Sequence, residues 1–404
     1  MFKRPNIRHL RAFSLTVSHN NVSRAAHLAH LSQSAVSQAI ARLEDHYGCS
    51  LLERRNVGVF PTVYGSIAAR RIDRATDRLC RAVERLLVNR RSTSRLPVEV
   101  DRMISVSQLS ALCAVAATGG FKSGADQLGL AQPSVHRAVR ELESLLGLSL
   151  FERTSRGISP TRLGAGFAIE ATLVLKEIDN IGDDLDIARG RFEGRIAVGS
   201  LALGQSDLLP RAITEVSRCY PRADFFLQDG SFAQLHHALQ HGEIDMVIGA
   251  RRLQPEPGLV QEVLFTDRLS VMARAGHPLA DKPDIDVADL AAWPWVLPRP
   301  ATPTRAVCDA IFEGSGFAPP GGVIETGSMV MVRGLLASSD RLTVLSRRQA
   351  RVEEQAGLLI PLDFHSSGMA REIALMYRPD WRPTELQEAL IQQLRDLAPQ
   401  SPAD

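Results

Sequence analysis

The chain has 404 residues, more than one ordinary domain buries around a single core, so two or three domains are expected. Hydrophobic residues make up 45% and charged residues 23%, with no apolar run long enough to cross a bilayer and no charged-then-apolar leader at the start. A soluble, cytoplasmic protein with no membrane partner is expected. The net charge of +2 hides a polarity: 18 Lys and Arg against 8 Asp and Glu over residues 1–102, 8 against 10 over 103–190, and 21 against 27 over 191–404. A basic excess of this size at one end is what neutralising nucleic-acid phosphates requires. The five cysteines (Cys49, Cys80, Cys113, Cys219, Cys308) are scattered and form no C-x-x-C pair, which argues against a disulfide framework or structural zinc and for buried thiols.

The chain repeats itself without a gap at an offset of 99 residues. Leu10 falls on Leu109, Ala26 on Ala125, Gln33 on Gln132, Val36 on Val135, Leu43 on Leu142 and Glu44 on Glu143, and the match continues from Gly48 with Gly147 to Gly65 with Gly164. Two copies of one supersecondary unit follow from this. In the first, Leu10, Phe13 and Val17 mark one helical face, Ala25, Ala26 and Ala29 a second, and Val36, Ile40, Leu43 and Tyr47 a third. Small residues at Ala25 and Ala26, with Gly124 and Ala125 in copy two, let two helices cross closely, as a helix-turn-helix needs.

The polar side of the third helix carries the candidate DNA contacts. Ser32 is placed as its N-cap, followed by Gln33, Ser34, Ser37, Gln38 and Arg42; copy two offers Gln132, Ser134, His136, Arg137 and Arg140, with Pro133 in the first turn. Such side chains suit base edges and phosphates in a major groove, although any one of them is equally read as a solvated surface residue. A Gly-bearing hairpin flanked by arginines follows, with Arg54, Arg55 and Gly58 in copy one and Arg153, Arg156 and Gly157 in copy two; it reads as a wing resting on the backbone or entering the minor groove. Each copy then runs into a long helix, roughly 62–89 and 161–190, whose apolar stripe calls for a partner helix.

The stretch Ala131-Gln132-Pro133-Ser134-Val135 through Leu142-Glu143, Leu150-Phe151-Glu152-Arg153-Thr154 and Gly157 to Pro160-Thr161 resembles the winged helix-turn-helix of LysR-type transcriptional regulators. Ser32-Gln33-Ser34-Ala35-Val36-Ser37 of copy one resembles it too, while its wing, Arg54 to Phe60, departs further from the pattern. Family members ordinarily carry one such module. The tandem pair leaves open which copy docks on DNA, copy one having the charge and copy two the usual place before a sensor.

From Gly194 onward, short apolar strands alternate with helices, the signature of a parallel α/β sheet. Strands are expected at 196–199, 225–228, 244–248, 269–273, 323–325, 342–345 and 373–377, and helices at 207–219, 232–241, 304–312, 328–337 and 383–397. Gly194-Arg195-Ile196-Ala197-Val198-Gly199, Gly242 to Gly249 and Gly276-His277-Pro278-Leu279-Ala280 resemble the LysR effector domain. That resemblance implies a periplasmic-binding-protein-like (type 2) fold of two α/β subdomains joined by crossover strands around a ligand cleft. Glu325 to Ser328 with Leu335 to Leu342 resembles the galactose-binding-protein-regulator branch. Ligands in such folds bind beyond strand carboxyl ends, near helix amino termini. This singles out Ser200, Leu201, Ala202, Arg251, Thr302, Thr304 and Ser328. Thr302 and Ser328 read equally as helix caps, and Arg251 as a surface arginine or a carboxylate grip.

The expected organisation is a multidomain α plus α/β chain. Residues 1–62 form a first winged helix-turn-helix, 63–102 a linker helix and loop, 103–161 a second module, and 162–193 a linker or dimerisation helix. Residues 194–404 form an effector domain, with subdomain I at about 194–264 and 346–404 and subdomain II at about 265–345. The expected function is promoter binding modulated by a small effector, a sugar or a small carboxylate. Double-stranded DNA and RNA polymerase are the expected partners, and the chain a homodimer or homotetramer whose cleft closure changes the spacing of the reading modules. No cofactor is expected. An enzyme is the first rival, but no G-x-S-x-G, P-loop, G-x-G-x-x-G after a strand or H-E-x-x-H occurs, and His236, His237 and His241 lack the acid or cysteine partners of a metal site. The second rival is an assembly protein in which one or both repeats only dimerise.

Overall fold

A computed structural model describes residues 4–56, 58–88, 100–155, 157–191, 193–201, 207–254, 256–313, 315–317 and 321–399, and the chain separates into two compact units, residues 1–194 and 195–404.

In the first unit, copy one forms α1 (Ile7–His19), α2 (Val22–Ala29) and α3 (Gln33–Tyr47), a hairpin of β1 (Leu52–Arg55) and β2 (Gly58–Pro61), and the long α4 (Val63–Val88). Copy two repeats it as α5 (Val106–Thr118), α6 (Phe121–Leu128), α7 (Gln132–Leu146), β3 (Phe151–Thr154), β4 (Gly157–Pro160) and α8 (Arg162–Ala188). The identities at offset 99 have local physical reasons. Gly48 and Gly147 end α3 and α7 at φ +62° and +61°, the left-handed cap that a side chain resists. Glu44 Oε1 accepts from the Leu51 and Leu52 amides at 2.8 and 3.2 Å, and Glu143 Oε1 accepts from Leu150 and Phe151 at the same two distances. A Cβ on Gly65 would stand 1.9 Å from the Leu51 carbonyl oxygen, and one on Gly164 1.9 Å from that of Leu150, so only glycine lets the long helix start against its hairpin.

The expected partner helix of each long helix lies in the same chain. α4 and α8 pack antiparallel, burying Ala68, Ile72, Ala75, Leu79, Ala82 and Leu86 from one and Phe167, Ala171, Val174, Ile178, Ile181 and Leu185 from the other in a core shared with Leu10, Phe13, Leu109 and Leu112. Ion pairs flank this seam: Arg71 with Glu177 and Asp184 at 3.0 and 2.8 Å, Arg74 with Glu177 at 2.6 Å, and Glu170 with Arg78 and Arg85 at 2.7 and 2.9 Å. The last turn of α8 also reaches copy one, where Arg189 Nη1 donates to the Tyr47 and Gly48 carbonyls at 2.7 and 3.2 Å and so satisfies the end of α3.

In the second unit the expected parallel sheet is mixed, because the chain returns through long antiparallel strands. β5 (Glu193–Ser200) pairs parallel with β7 (Met246–Ala250), and β6 (Arg222–Asp229) lies on the far side of β5. β8 (Val260–Arg274) and β13 (Ala370–Tyr377) pair antiparallel, and β13 also pairs antiparallel with β7. Beyond them β11 (Thr343–Ser346) and β12 (Leu359–Pro361) pair antiparallel with the far end of β8. β8 has 15 residues, about 50 Å of extended chain, where the apolar run at residues 269–273 alone suggests a short strand. It therefore connects two apolar cores, one around Ala197, Leu235, Val247 and Met376 and one around Val271, Trp295, Phe312 and Leu342. α9 (Leu208–Cys219), α10 (Phe232–Gln240), α12 (Pro303–Phe312), α13 (Met329–Ala337) and α15 (Glu385–Asp396) occupy the expected helical segments. The short α11 (Val287–Ala291), α14 (Arg351–Gln355) and β9 (Val296–Leu297) fall where periodicity is too brief to register, while β10 (Ile324–Glu325), parallel to β9, lies in the strand expected at 323–325.

Candidate nucleic-acid interface and effector site

The third helix of each copy turns its apolar residues inward and its polar residues to solvent. In α3, Val36, Ala39, Ile40, Leu43 and Tyr47 are buried, while Gln33, Ser34, Ser37, Gln38 and Arg42 are exposed. Ser32 caps the helix, its Oγ accepting from the Ala35 amide at 3.2 Å and lying 2.9 Å from the Ser34 hydroxyl. In α7, Val135, Val139, Leu142 and Leu146 are buried, and Gln132, Pro133, Ser134, His136, Arg137 and Arg140 are exposed. Pro133 lies in the first turn and Ala131 stands at the cap without a side-chain hydrogen bond.

Several of these groups already have intramolecular partners. His136 sits edge-on to Phe121, ring centres 4.9 Å apart, and Arg140 pairs with Glu143 at 3.0 Å. On the first hairpin Arg55 is held by Glu53 and lies 5.2 Å from the Phe60 ring centre, whereas Arg54 is exposed with no ion pair among the described residues. Arg153 is exposed on the second hairpin, and Arg156 lies outside the described residues.

Part of the basic excess of residues 1–102 is used inside the protein rather than left to neutralise phosphates. Residues 7–61 hold six Lys and Arg against three Asp and Glu, and 106–160 five against four, so the two helix-hairpin bodies differ little. α4 carries six Arg against three Asp and Glu, and its Arg71, Arg74, Arg78 and Arg85 face carboxylates of α8. Burial opposes the Glu177 charge, but the Arg74 hydrogen bond and the Arg71 charge outweigh it and hold the carboxyl below its usual range. The charge balance between the copies thus gives no ground for preferring copy one as the DNA reader.

In the second unit, several of the residues singled out for the effector already have partners within the protein. Ser200 is buried at the end of β5, and the Leu201 amide donates to the Ile248 carbonyl at 2.9 Å while its side chain fills the space above Gly249. Ala202 lies outside the described residues. The Arg251 guanidinium pairs with Glu372. Thr302 Oγ1 accepts from the Arg305 amide at 3.2 Å and donates to the Arg299 carbonyl at 2.9 Å, which uses it as the cap of α12; Ser328 caps α13 through the Met331 amide at 3.4 Å. Thr304 joins a buried polar group. It accepts from Arg371 Nη1, whose other nitrogens reach Asp267 at 3.1 and 3.2 Å and Gln349 at 2.9 Å. Burial raises the Asp267 pKa and lowers that of Arg371, each opposed by the attraction between them. Nothing in sequence periodicity brings residues 267, 304, 349 and 371 together.

A depression between strands and the start of α9 is lined by Asp207, Ile248, Phe265, Arg348, Ile373 and Leu397. At its rim three guanidinium groups surround one carboxylate: Arg211, Arg351 and Arg348 lie 3.5, 3.6 and 3.8 Å from Asp207. The local balance is positive above an apolar floor. The expectation of buried thiols holds only in part: Cys308 is buried, Cys49, Cys80 and Cys113 are half-buried and Cys219 is exposed, with burial pushing Cys113 up to about 11 and Cys308 up to about 12. His236 stacks on Phe232, and His241 bonds the His237 carbonyl at 2.8 Å.

Comparison with known proteins matches both ends of this architecture. The profile "Bacterial regulatory helix-turn-helix protein, lysR family" matches residues 7–66 and again 106–165, and "LysR substrate binding domain" matches 189–399. The chain is 32% identical over 375 residues to "HTH-type transcriptional regulator GalR" of Pseudomonas putida, covering 93% of this chain and 92% of that one. Among solved structures, a full-length OxyR variant from Pseudomonas aeruginosa is similar with a TM-score of 0.57 at 23% identity, over 74% of this chain and all of that one. Full-length CbnR complexed with its target DNA is similar with a TM-score of 0.51 at 20% identity, over 72% of this chain and 99% of that one.

Proposed function

This chain belongs to the LysR family of DNA-binding transcriptional regulators, and from that premise we propose that both copies are winged helix-turn-helix modules and that both read DNA. The observation that carries the proposal is the paired exposure of α3 and α7: each third helix has its apolar stripe buried against its own copy and its Gln, Ser and Arg side chains turned outward. Ser34, Ser37, Gln38 and Arg42 from one, and Gln132, Ser134, His136 and Arg137 from the other, are the base-reading candidates; Arg54 and Arg153 are wing contacts to the backbone. Glu44 and Glu143 position the wings by holding the first strand of each hairpin.

Residues 195–404 are the effector domain in this reading. The positive rim over an apolar floor at Arg348 and Phe265 favours a small carboxylate over a neutral sugar, because a ligand carboxylate would meet three guanidinium groups gathered around the single carboxylate of Asp207. A thermal shift of the purified protein with small carboxylates and none with neutral sugars supports this assignment, and the reverse result removes it.

The test of the main reading is a gel shift on the promoter fragment beside the protein's own gene. Arg42→Ala and Arg54→Ala in copy one, and Arg137→Ala and Arg153→Ala in copy two, are each expected to weaken binding by about 1 to 3 kcal/mol. Loss confined to one copy assigns reading to that copy alone; no loss in either removes DNA reading from these faces.

A further inference from the structure

We infer that one chain supplies both heads of a two-headed DNA reader, and that a charge pattern on α4 and α8 lets only these unlike helices pair. The inference rests on the reading that both copies contact DNA. At the repeat offset of 99, Arg71, Arg78 and Arg85 of α4 correspond to Glu170, Glu177 and Asp184 of α8. Members of each trio are seven residues apart, close to two helical turns, so each trio lines one face.

Across the antiparallel seam the trios mesh as a pseudo-twofold axis requires. Arg71 to Glu177 at 3.0 Å and Arg78 to Glu170 at 2.7 Å are one contact made twice, since position 71 answers to 170 and position 177 to 78. Arg71 to Asp184 at 2.8 Å and Arg85 to Glu170 at 2.9 Å are the second such contact. The shape of the seam is that of a symmetric dimer, but the sign of each of these three positions is reversed between the copies.

That reversal decides which helices can meet. If α4 packed on the α4 of another chain in this register, Arg71 would face Arg78 and Arg85; α8 on α8 would set Glu170 against Glu177 and Asp184. Arg71 and Arg78 side chains are 7% and 9% exposed and Glu177 10%, so water would do little to screen these like charges. The pattern rejects like pairs while satisfying the unlike one. Only eleven residues, 89–99, lie between the end of α4 at Val88 and Val100, so the unlike partner in the same chain is present at an effective concentration on the order of millimolar, far above that of a second chain. The two heads are also unlike. Gln38 answers to Arg137, Ser37 to His136 and Ala41 to Arg140, so the site read by one chain has two different halves rather than a palindrome.

The test uses the full-length protein with Arg71, Arg78 and Arg85 each changed to Glu, with Glu170, Glu177 and Asp184 each changed to Arg, and with all six exchanged. Each triple variant is expected to melt earlier and to lose about tenfold or more in affinity for the promoter fragment, and the sixfold exchange to recover most of both. Triple variants that behave as the parent, or a sixfold exchange no better than either triple, would overturn the pairing. An equimolar mixture of the two triple variants, refolded together and assayed at nanomolar concentration, is expected to stay defective; recovery to the level of the sixfold exchange would overturn the single-chain part and place α4 of one chain on α8 of another. If the parent binds no duplex, the DNA reading fails while the melting pattern still decides the pairing.

Discussion

Copy one and copy two begin from the same 99-residue spacing and treat it in two ways. Where the backbone is tight they keep the same residue: Gly48 and Gly147 at a left-handed helix end, Glu44 and Glu143 on the hairpin amides, Gly65 and Gly164 under a carbonyl oxygen. On helix faces turned away from their own copy they differ at several positions, Gln38 against Arg137 on the third helix and Arg78 against Glu177 on the long one. The difference separates two kinds of constraint within one chain. A Cβ has no room at 1.9 Å from an oxygen in either copy, whereas the face of a helix is free to suit its partner.

The largest expected effect tests the shared part. Gly65→Ala and Gly164→Ala are each expected to cost about 3 kcal/mol or more in denaturant unfolding, because the helix start must move off the Leu51 or Leu150 carbonyl. A cost in one copy only would mean that the hairpin contact is not equivalent in the two. The next tests the divergent part. Glu177→Gln is expected to cost about 2 to 3 kcal/mol at neutral pH, as Arg71 and Arg74 lose a buried charge partner. The Glu177 carboxyl is held below its ordinary value of 4.5, so its contribution is present above that pH and is lost as pH falls through the lower folded-state value. The gap in melting temperature between parent and variant is therefore expected to be widest near neutrality and to close in acid; a gap independent of pH would show that charge is not the cause. The smallest effect lies at the caps: Ser32→Ala is expected to cost about 1 kcal/mol, and Ala131→Ser to gain a few tenths to 1 kcal/mol in copy two, both read from melting curves.

Much of the architecture was legible in the residues. The stripe Val36, Ile40, Leu43 and Tyr47 has the 3.6-residue period of a buried helix face, and α3 buries these four. The long helices were legible too, with bounds close to Val63–Val88 and Arg162–Ala188. The effector unit was less so. Its short parallel strands announce themselves as apolar runs, but β8 alternates with polar residues such as Glu262, Asp267 and Arg268 along its course, and only its apolar far end stood out. The cluster of Thr304 with Arg371, Asp267 and Gln349 was invisible because its members come from four separate segments.

By itself the amino-acid order determined the duplication, the helical and strand periods and the glycine and glutamate positions, since each of these acts over a few residues or repeats at one interval. Which surface meets which was decided only by the tertiary fold. The arginines at 71, 78 and 85 carry the same charge whether they face phosphate or carboxylate, and folding alone brings Glu170, Glu177 and Asp184, about a hundred residues away, within ion-pair distance of them.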